Sequence, residues 1–286
     1  MAKRWMIWFV AMFMACTSAN ASDFEEVRKA AEQGEAKAQF LLGGMYYNGK
    51  GVPQDYKQAV EWNRKAAEQG HASAQFFLGW MYEEGEGVPQ DYKQAVGWYH
   101  KAAEQGHAKA QYFLGLMYYA GKGVPQDYKQ AVEWNRKAAE QGDADAQVIL
   151  SVMYIKGEGV PQDYKQAVEW SLKAAEQGNA KAQVLLGGAY AEGKGVPQDS
   201  KQAVEWNRKA AEQGHADAQV RLGLMYAEGE GVPQNYVLAH MWFNISASQT
   251  HDESVIKLRS EIAERMLPAQ IAQAQNLARN WKPKEP

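Results

Sequence analysis

The chain has 286 residues, which is enough for a sizeable core, and its one cysteine, Cys16, leaves no internal disulfide possible. The formal net charge is −3. This charge argues against a nucleic-acid partner, because domains that bind nucleic acids normally carry a basic face.

The N-terminus is typical of a secretory leader. Lys3 and Arg4 form a positive region, and residues 5–15 form an apolar run of 11 residues, which is too short to span a bilayer. Ala19 and Ala21 form an A-x-A site, so we expect cleavage after Ala21. The mature chain would then carry a charge of −5, because the leader contains two basic residues and no acidic one. We expect a bacterial periplasmic or secreted protein without a membrane span.

Two alternatives to cleavage at this site stay open. The apolar run could be retained as an anchor helix. Alternatively, Cys16 could be lipidated, although Phe13 stands three positions before it, where a lipoprotein signal usually has leucine.

The rest of the chain is a tandem repeat with a period of 36 residues. Glycine recurs at Gly34, Gly70, Gly106, Gly142, Gly178 and Gly214. Proline recurs at Pro53, Pro89, Pro125, Pro161, Pro197 and Pro233. Tryptophan recurs at Trp62, Trp98, Trp134, Trp170, Trp206 and Trp242. Six copies without an insertion predict a stack of identical supersecondary units.

Each copy predicts two helices. Helix A covers about residues 36–47 of the first copy and stops at the glycine- and proline-containing loop 49–53. Helix B starts at Asp55, which can cap free N–H groups, and Gln58 completes a capping-box pattern. Gly70 stands where a left-handed C-cap glycine belongs.

Because one helix pair cannot bury its apolar face alone, the ends of the stack need caps. A lone helix over residues 23–33 and two helices near residues 253–266 and 268–281 are predicted to serve this purpose, and the last five residues are polar and expected to fray. The predicted organisation is a leader (1–21), an N-terminal capping helix (22–33), six repeats (34–249), and C-terminal capping helices with a short tail (250–286).

The string A-x-A-Q-x-x-L-G-x-M-Y-x-x-G-x-G-V-P-Q-D-Y-x-Q-A-V-x-W, found at residues 72–98, resembles the Sel1-like repeat family over residues 34–249. Its long G-x-G-V-P loop differs from the 34-residue tetratricopeptide repeat. The resemblance implies an all-α fold, a right-handed α/α superhelical solenoid, and a scaffold or adaptor role in protein complexes. Bacterial members are often exported and act in envelope or signalling assemblies.

Some disulfide-rich members of the family are described as β-lactamases, but they carry a cysteine pair in each repeat that is absent here. We therefore expect no enzyme and no cofactor. A cell-wall or β-lactam hydrolase stays an alternative by family analogy alone. A second alternative is a secreted factor that binds host proteins.

Comparison of the six copies divides helix A into two sides. With Gly34 as position 1, positions 3, 5, 6, 9, 10, 12 and 13 hardly change, whereas positions 4, 7, 8, 11, 14 and 15 vary. The constant positions fall on one side of the helix and predict its packing face. The varying side is predicted to line a concave surface.

Several varying positions carry apolar residues, which typify partner sites. We predict protein-partner contacts at Phe40, Tyr47, Phe76, Trp80, Tyr112, Leu116, Tyr119, Val148, Val152 and Ile155. The alternative is that superhelical curvature buries these residues against neighbouring helices A.

Loop position 17 alternates in charge: Lys50, Glu86, Lys122, Glu158, Lys194, Glu230. Charge ladders between stacked repeats are one possible consequence, each pair contributing only ~0–1 kcal/mol.

No chemical motif stands outside the repeat. His71, His107 and His215 share with Asp143 and Asn179 the slot before helix A, which predicts a capping role. No metal site is expected, because helices packed roughly 10 Å apart do not place His71 and His107 on one ion. The carboxylates Glu83 and Glu84 are expected to face solvent. With no nucleotide-binding loop and no nucleophile elbow, catalytic residues are expected to be absent.

Overall fold

The computed structural model describes residues 21–284, and side chains from Asp23 onward. The predicted leader, including Cys16 and nearly all of its cleavage motif, lies outside the described residues. The described part contains fifteen helices and no strand. The helices are α1 (Ala21–Glu32), α2 (Ala36–Asn48), α3 (Tyr56–Glu68), α4 (Ala72–Glu84), α5 (Tyr92–Glu104), α6 (Ala108–Ala120), α7 (Tyr128–Glu140), α8 (Ala144–Lys156), α9 (Tyr164–Glu176), α10 (Ala180–Glu192), α11 (Ser200–Glu212), α12 (Ala216–Glu228), α13 (Tyr236–Thr250), α14 (Glu253–Ala263) and α15 (Pro268–Asn280).

The even-numbered helices from α2 to α12 are the helices A, and the odd-numbered helices from α3 to α13 are the helices B. Six such pairs in tandem, preceded by α1 and followed by α14 and α15, form the predicted α/α solenoid with capping helices. The chain divides into two compact units, unit 1 up to Ala138 and unit 2 from Ala139.

Each unit has its own buried clusters. In unit 1, α1 contributes Phe24 and Ala31 to a cluster with Leu42 and Met45 of α2. The N-terminal helix therefore covers apolar surface of the first repeat. In unit 2, Phe243 packs with residues of the two C-terminal helices, Val255, Ile262 and Ala274 among them.

The start of helix B confirms one half of the predicted capping box and contradicts the other. The Asp55 carboxylate accepts hydrogen bonds from the backbone N–H groups of Lys57 and Gln58 at 2.9 and 3.1 Å. The Gln58 side chain donates to Glu61 instead of reaching back. The backbone N–H of Asp55 donates to the Tyr46 carbonyl at 2.9 Å, so the loop already satisfies the group that a capping box would serve.

The end of helix B confirms the glycine cap. Gly70 has φ +89°, its N–H donates to the Ala67 carbonyl at 3.0 Å, and the next N–H, of His71, donates to the Ala66 carbonyl at 3.1 Å. This pair of bonds is the Schellman arrangement. It ends the helix while satisfying carbonyls that would otherwise lack partners.

A buried glutamine of helix A joins three helices in the first, second, fourth and fifth repeats, a role that the sequence pattern did not reveal. In α4, the Gln75 side chain donates to the Ala67 carbonyl of α3 at 3.0 Å and accepts a hydrogen bond from Gln105, at the end of α5, at 2.7 Å. In unit 2, Gln147 likewise bonds Ala139 and Gln177. The constant glutamine therefore fixes how consecutive helices stack.

As far as Lys284, the C-terminal tail contradicts the expectation that the last five residues fray, and residues 285 and 286 lie outside the described residues. The backbone N–H of Lys284 donates to the Glu212 carbonyl at 2.8 Å, and its ammonium group pairs with the Glu212 carboxylate at 2.8 Å. Trp281 packs edge-on against Trp242 with ring centroids 6.1 Å apart. The tail is thus held against the end of the repeat array as far as Lys284.

Candidate functional site

The constant side of helix A is its packing face, as predicted. Ala74, Leu78 and Met81 of α4 are completely buried. The corresponding residues of α6, Ala110 and Leu114, are equally inaccessible. The varying side is therefore the side on which a partner could be contacted.

The structure corrects part of the predicted partner surface. Four of the ten predicted contact residues are only 2–7% exposed: Tyr47, Phe76, Tyr112 and Val148. Phe76 shows the reason, because its ring stacks on His107, at the start of the next helix A, with centroids 5.0 Å apart. The alternative interpretation, burial between neighbouring repeats, holds for these four residues, and they serve packing.

The other six predicted residues, Phe40, Trp80, Leu116, Tyr119, Val152 and Ile155, are partly exposed. Four of them belong to unit 1 and form what we name the unit 1 surface: Phe40, Trp80, Leu116 and Tyr119. Val152 and Ile155 belong to unit 2. The six residues lie on helices A at positions that vary between repeats.

Aromatic neighbours hold the unit 1 surface in place. Trp80 is stacked parallel to Phe77 at a centroid distance of 5.5 Å, and Tyr47 meets its edge at 5.8 Å. Tyr119 contacts Tyr128 edge-on at 5.3 Å. Side chains fixed in this way lose little conformational entropy when a partner binds.

Two of the alternating loop residues, Glu86 and Lys122, make contacts that the charge pattern did not predict. Glu86 accepts a hydrogen bond from the Tyr47 hydroxyl at 2.6 Å, and burial together with this carboxylate raises the pKa of Tyr47. The ammonium group of Lys122 lies 5.1 Å from the ring centroid of Tyr92. These loop side chains thus reach aromatic residues of the preceding repeat.

The residue that precedes helix A caps the helix, as predicted, in four of the five repeats named above. His71 and His107 each accept a backbone N–H on Nδ1 at 3.2 Å. Asp143 and Asn179 accept two N–H groups each. His215 makes no such bond. Burial lowers the pKa of His71 and of His107, which favours the neutral ring that accepts this hydrogen bond.

Glu83 contradicts the expectation that the two adjacent carboxylates only face solvent. It accepts a hydrogen bond from the buried Tyr99 hydroxyl at 2.6 Å, and burial raises the pKa of the Glu83 carboxyl group. Glu84 is exposed, as expected. Glu83 therefore ties the end of α4 to α5.

Unit 2 contains an open cavity of about 270 Å³ that is lined chiefly by residues of α8, α9 and α10. Its lining includes the predicted residue Ile155, and also Val184 and Gly188, which occupy varying positions of α10. Ser151, Ser171 and Arg221 contribute polar groups. The sequence signal for this cavity is the run of small residues in the fifth repeat.

The described residues hold no group of three or more histidine, cysteine, aspartate or glutamate side chains that could bind a metal ion. Between residues 21 and 284, none of the helices combines the length and the apolar character that crossing a membrane requires.

Comparison with known proteins gives one family match. Six consecutive segments match the sequence model of the Sel1 repeat: residues 36–71, 72–107, 108–143, 144–179, 180–215 and 216–251. No curated protein matches the chain.

Several solved structures are similar to the chain, and two of them illustrate the match. A protective antigen present in uropathogenic Escherichia coli strains, which displays an SLR fold, is 41% identical with a TM-score of 0.82, over 90% of this chain and 56% of the antigen. A Sel1 repeat protein from Oxalobacter formigenes is 36% identical with a TM-score of 0.69, over 80% of this chain and 97% of that protein. The chain thus spans little more than half of the antigen's length.

Proposed function

Because the chain belongs to the Sel1 repeat family, we propose that it is an exported scaffold that binds a protein partner through the unit 1 surface. Sel1 repeats mediate protein–protein interactions, and proteins of this fold are typically non-enzymatic scaffolds. The observation that carries the proposal is the division of helix A into a buried constant side and a partly exposed varying side that holds Phe40, Trp80, Leu116 and Tyr119.

The test is affinity capture from a bacterial envelope extract with residues 22–286, read by mass spectrometry. A Trp80→Ala, Leu116→Ala, Tyr119→Ala variant removes most of the unit 1 surface. Apolar residues that are 37–40% exposed outside helices A supply a matched control, Leu172→Ala, Ile256→Ala, Leu277→Ala. We expect a partner that is retained by the native chain and by the control and lost by the first variant, with both variants folded by circular dichroism.

Retention of every captured protein by both variants would contradict a role for the unit 1 surface. Capture of nothing specific would contradict the scaffold proposal itself.

Export is the part of the proposal that rests on the leader pattern of residues 1–21. When a bacterial host is fractionated, the full chain should therefore be found in a different compartment from a chain that starts at Ser22. We expect the full chain in the periplasm or the medium, shortened to a mass that begins at Ser22. Full-length chain in the cytoplasm would contradict export, and a lipid-modified Cys16 would favour the lipoprotein alternative.

A further inference from the structure

Small side chains from two consecutive repeats line the cavity of unit 2, and two of them, Ala189 and Ser171, are smaller than their counterparts in every other repeat. Ala189 of α10 occupies a position that is methionine in all five other repeats, as at Met81 and Met225. The preceding residue, Gly188, aligns with Leu224 of the next repeat. Since core positions filled by smaller residues leave space that neighbours only partly close, the small residues leave an opening beside α10.

A second pair of small residues forms the floor of the cavity. Ser151 of α8 and Ser171 of α9 stand where the second repeat has Gly79 and Tyr99. Both serines are buried, and their hydroxyl oxygens lie 2.6 Å apart. The hydrogen bond between the two hydroxyl groups fixes both side chains at the base of the cavity.

The walls and the rim differ in character. Ile155, Val168 and Val184 supply apolar walls. At the rim, Lys194 pairs with Glu192 at 2.6 Å, so these two charges offset each other. Arg221 reaches over from α12, and a Cβ built on Gly188 would lie 3.7 Å from its guanidinium nitrogen Nη1.

Arg221 forms no ion pair with any residue that the structure describes. An unpaired cation beside an apolar recess attracts a ligand that presents an anion next to an apolar group. A guanidinium group suits this role because its planar fork binds carboxylates in a fixed geometry.

We propose that this cavity receives one large aliphatic or aromatic side chain of a partner peptide, while Arg221 pairs with an acidic side chain beside that anchor. The inference rests on the proposed function and specifies the chemistry of the partner. Drug-sized ligands occupy pockets of about 300–1,000 Å³, so a cavity of about 270 Å³ suits a single side chain. Deeply inserted anchors of this kind dominate many protein interfaces.

In the test, short random peptides displayed on phage are selected for binding to the native chain. Selected peptides are then measured against three variants. Ala189→Met fills the cavity with the residue that the other repeats carry at this position, Arg221→Gln removes the cation, and Ala120→Met adds the same side chain at an exposed position of α6 as the matched control.

We expect the selected peptides to share a large apolar residue flanked by aspartate or glutamate. Ala189→Met should weaken their binding by about ten-fold or more, while it raises the melting temperature by filling space. Arg221→Gln should retain the apolar preference and lose the acidic preference, together with the salt dependence of binding. Ala120→Met should bind as the native chain does.

Three results would overturn the inference: no peptide enriched, enriched peptides without an apolar anchor, or equal binding to the native chain and to Ala189→Met. The capture experiment separates this failure from failure of the scaffold proposal. Suppose that a captured partner is retained by Ala189→Met and lost by the variant Trp80→Ala, Leu116→Ala, Tyr119→Ala. The scaffold proposal then stands, and the cavity has no part in it.

Discussion

Gly79 of α4 lies directly against the ring of Tyr99 in α5, because a Cβ at Gly79 would come within 2.8 Å of the ring carbon Cδ1. The same two positions hold a matched pair in each repeat: Gly43 with Asn63, Gly115 with Asn135, Ser151 with Ser171, Gly187 with Asn207, and Gly223 with Phe243. Glycine in helix A therefore leaves room for a large side chain of helix B, whereas Ser151 faces only another serine.

This relationship predicts opposite effects for two glycine substitutions in neighbouring helices. Gly79→Ala should destabilise the protein by about 1–3 kcal/mol, because the added methyl group overpacks a buried contact. Gly97→Ala in α5 meets nothing within 4 Å and should stabilise by about 0.5–1 kcal/mol through helix propensity. Urea unfolding measures both, and equal changes in the free energy of unfolding would contradict the packing argument.

The buried glutamine of α4 predicts a large loss of stability. Gln75→Leu keeps the approximate size of the side chain but removes two hydrogen bonds, one to the Ala67 carbonyl and one from Gln105, which should cost about 1–3 kcal/mol. Gln94→Leu at an exposed position of α5 is the control, expected to change the free energy of unfolding by no more than about 0.5 kcal/mol. Similar values for the two variants in urea titrations would show that the buried bond does not stabilise the stack.

The loop glycines that approach the preceding repeat should tolerate no side chain. A Cβ at Gly123 would collide with the backbone carbonyl of Tyr92, and a Cβ at Gly106 would meet nothing. Both residues have positive φ, +71° and +85°, so both alanine variants carry a conformational cost of about 1–2 kcal/mol. Gly123→Ala should lower the melting temperature further than Gly106→Ala, and equal shifts would argue against a close approach.

The capping histidines predict a stability that decreases in mild acid. His71 and His107 have pKa values lowered below the ordinary 6.5, chiefly by burial. As pH falls below 6.5, the unfolded chain therefore binds protons that the folded chain does not, and the free energy of unfolding decreases until the folded pKa values are reached. Above pH 6.5 this contribution is fully present.

The matched variant for this pH effect is His71→Asn with His107→Asn, because Asn179 already caps α10 in the same slot. The pH dependence of the native chain below 6.5, measured by urea unfolding at a series of pH values, should be steeper than that of the double variant. His215 and His240, whose pKa values burial also lowers, remain in both chains. Parallel curves for the two proteins would contradict the role of the caps.

The sequence by itself determined the six repeats, the bounds of the helices to within three residues, and the caps at Asp55, Gly70 and His71. These features depend on hydrogen bonds between residues two to five apart in the chain and on the conformations open to glycine and proline. The constant side of helix A was equally predictable, because a packing face recurs with the helical period.

Only the tertiary structure decided which varying residues stay accessible. Phe76 and Trp80 belong to the same helix and to the same varying side, yet His107 of the next repeat covers Phe76, while Trp80 remains partly exposed. The hydrogen bond between Tyr99 and Glu83 and the cavity beside Arg221 arise in the same way. Each depends on the size of side chains that neighbouring helices place around it, and the helical period of a single repeat carries no information about those neighbours.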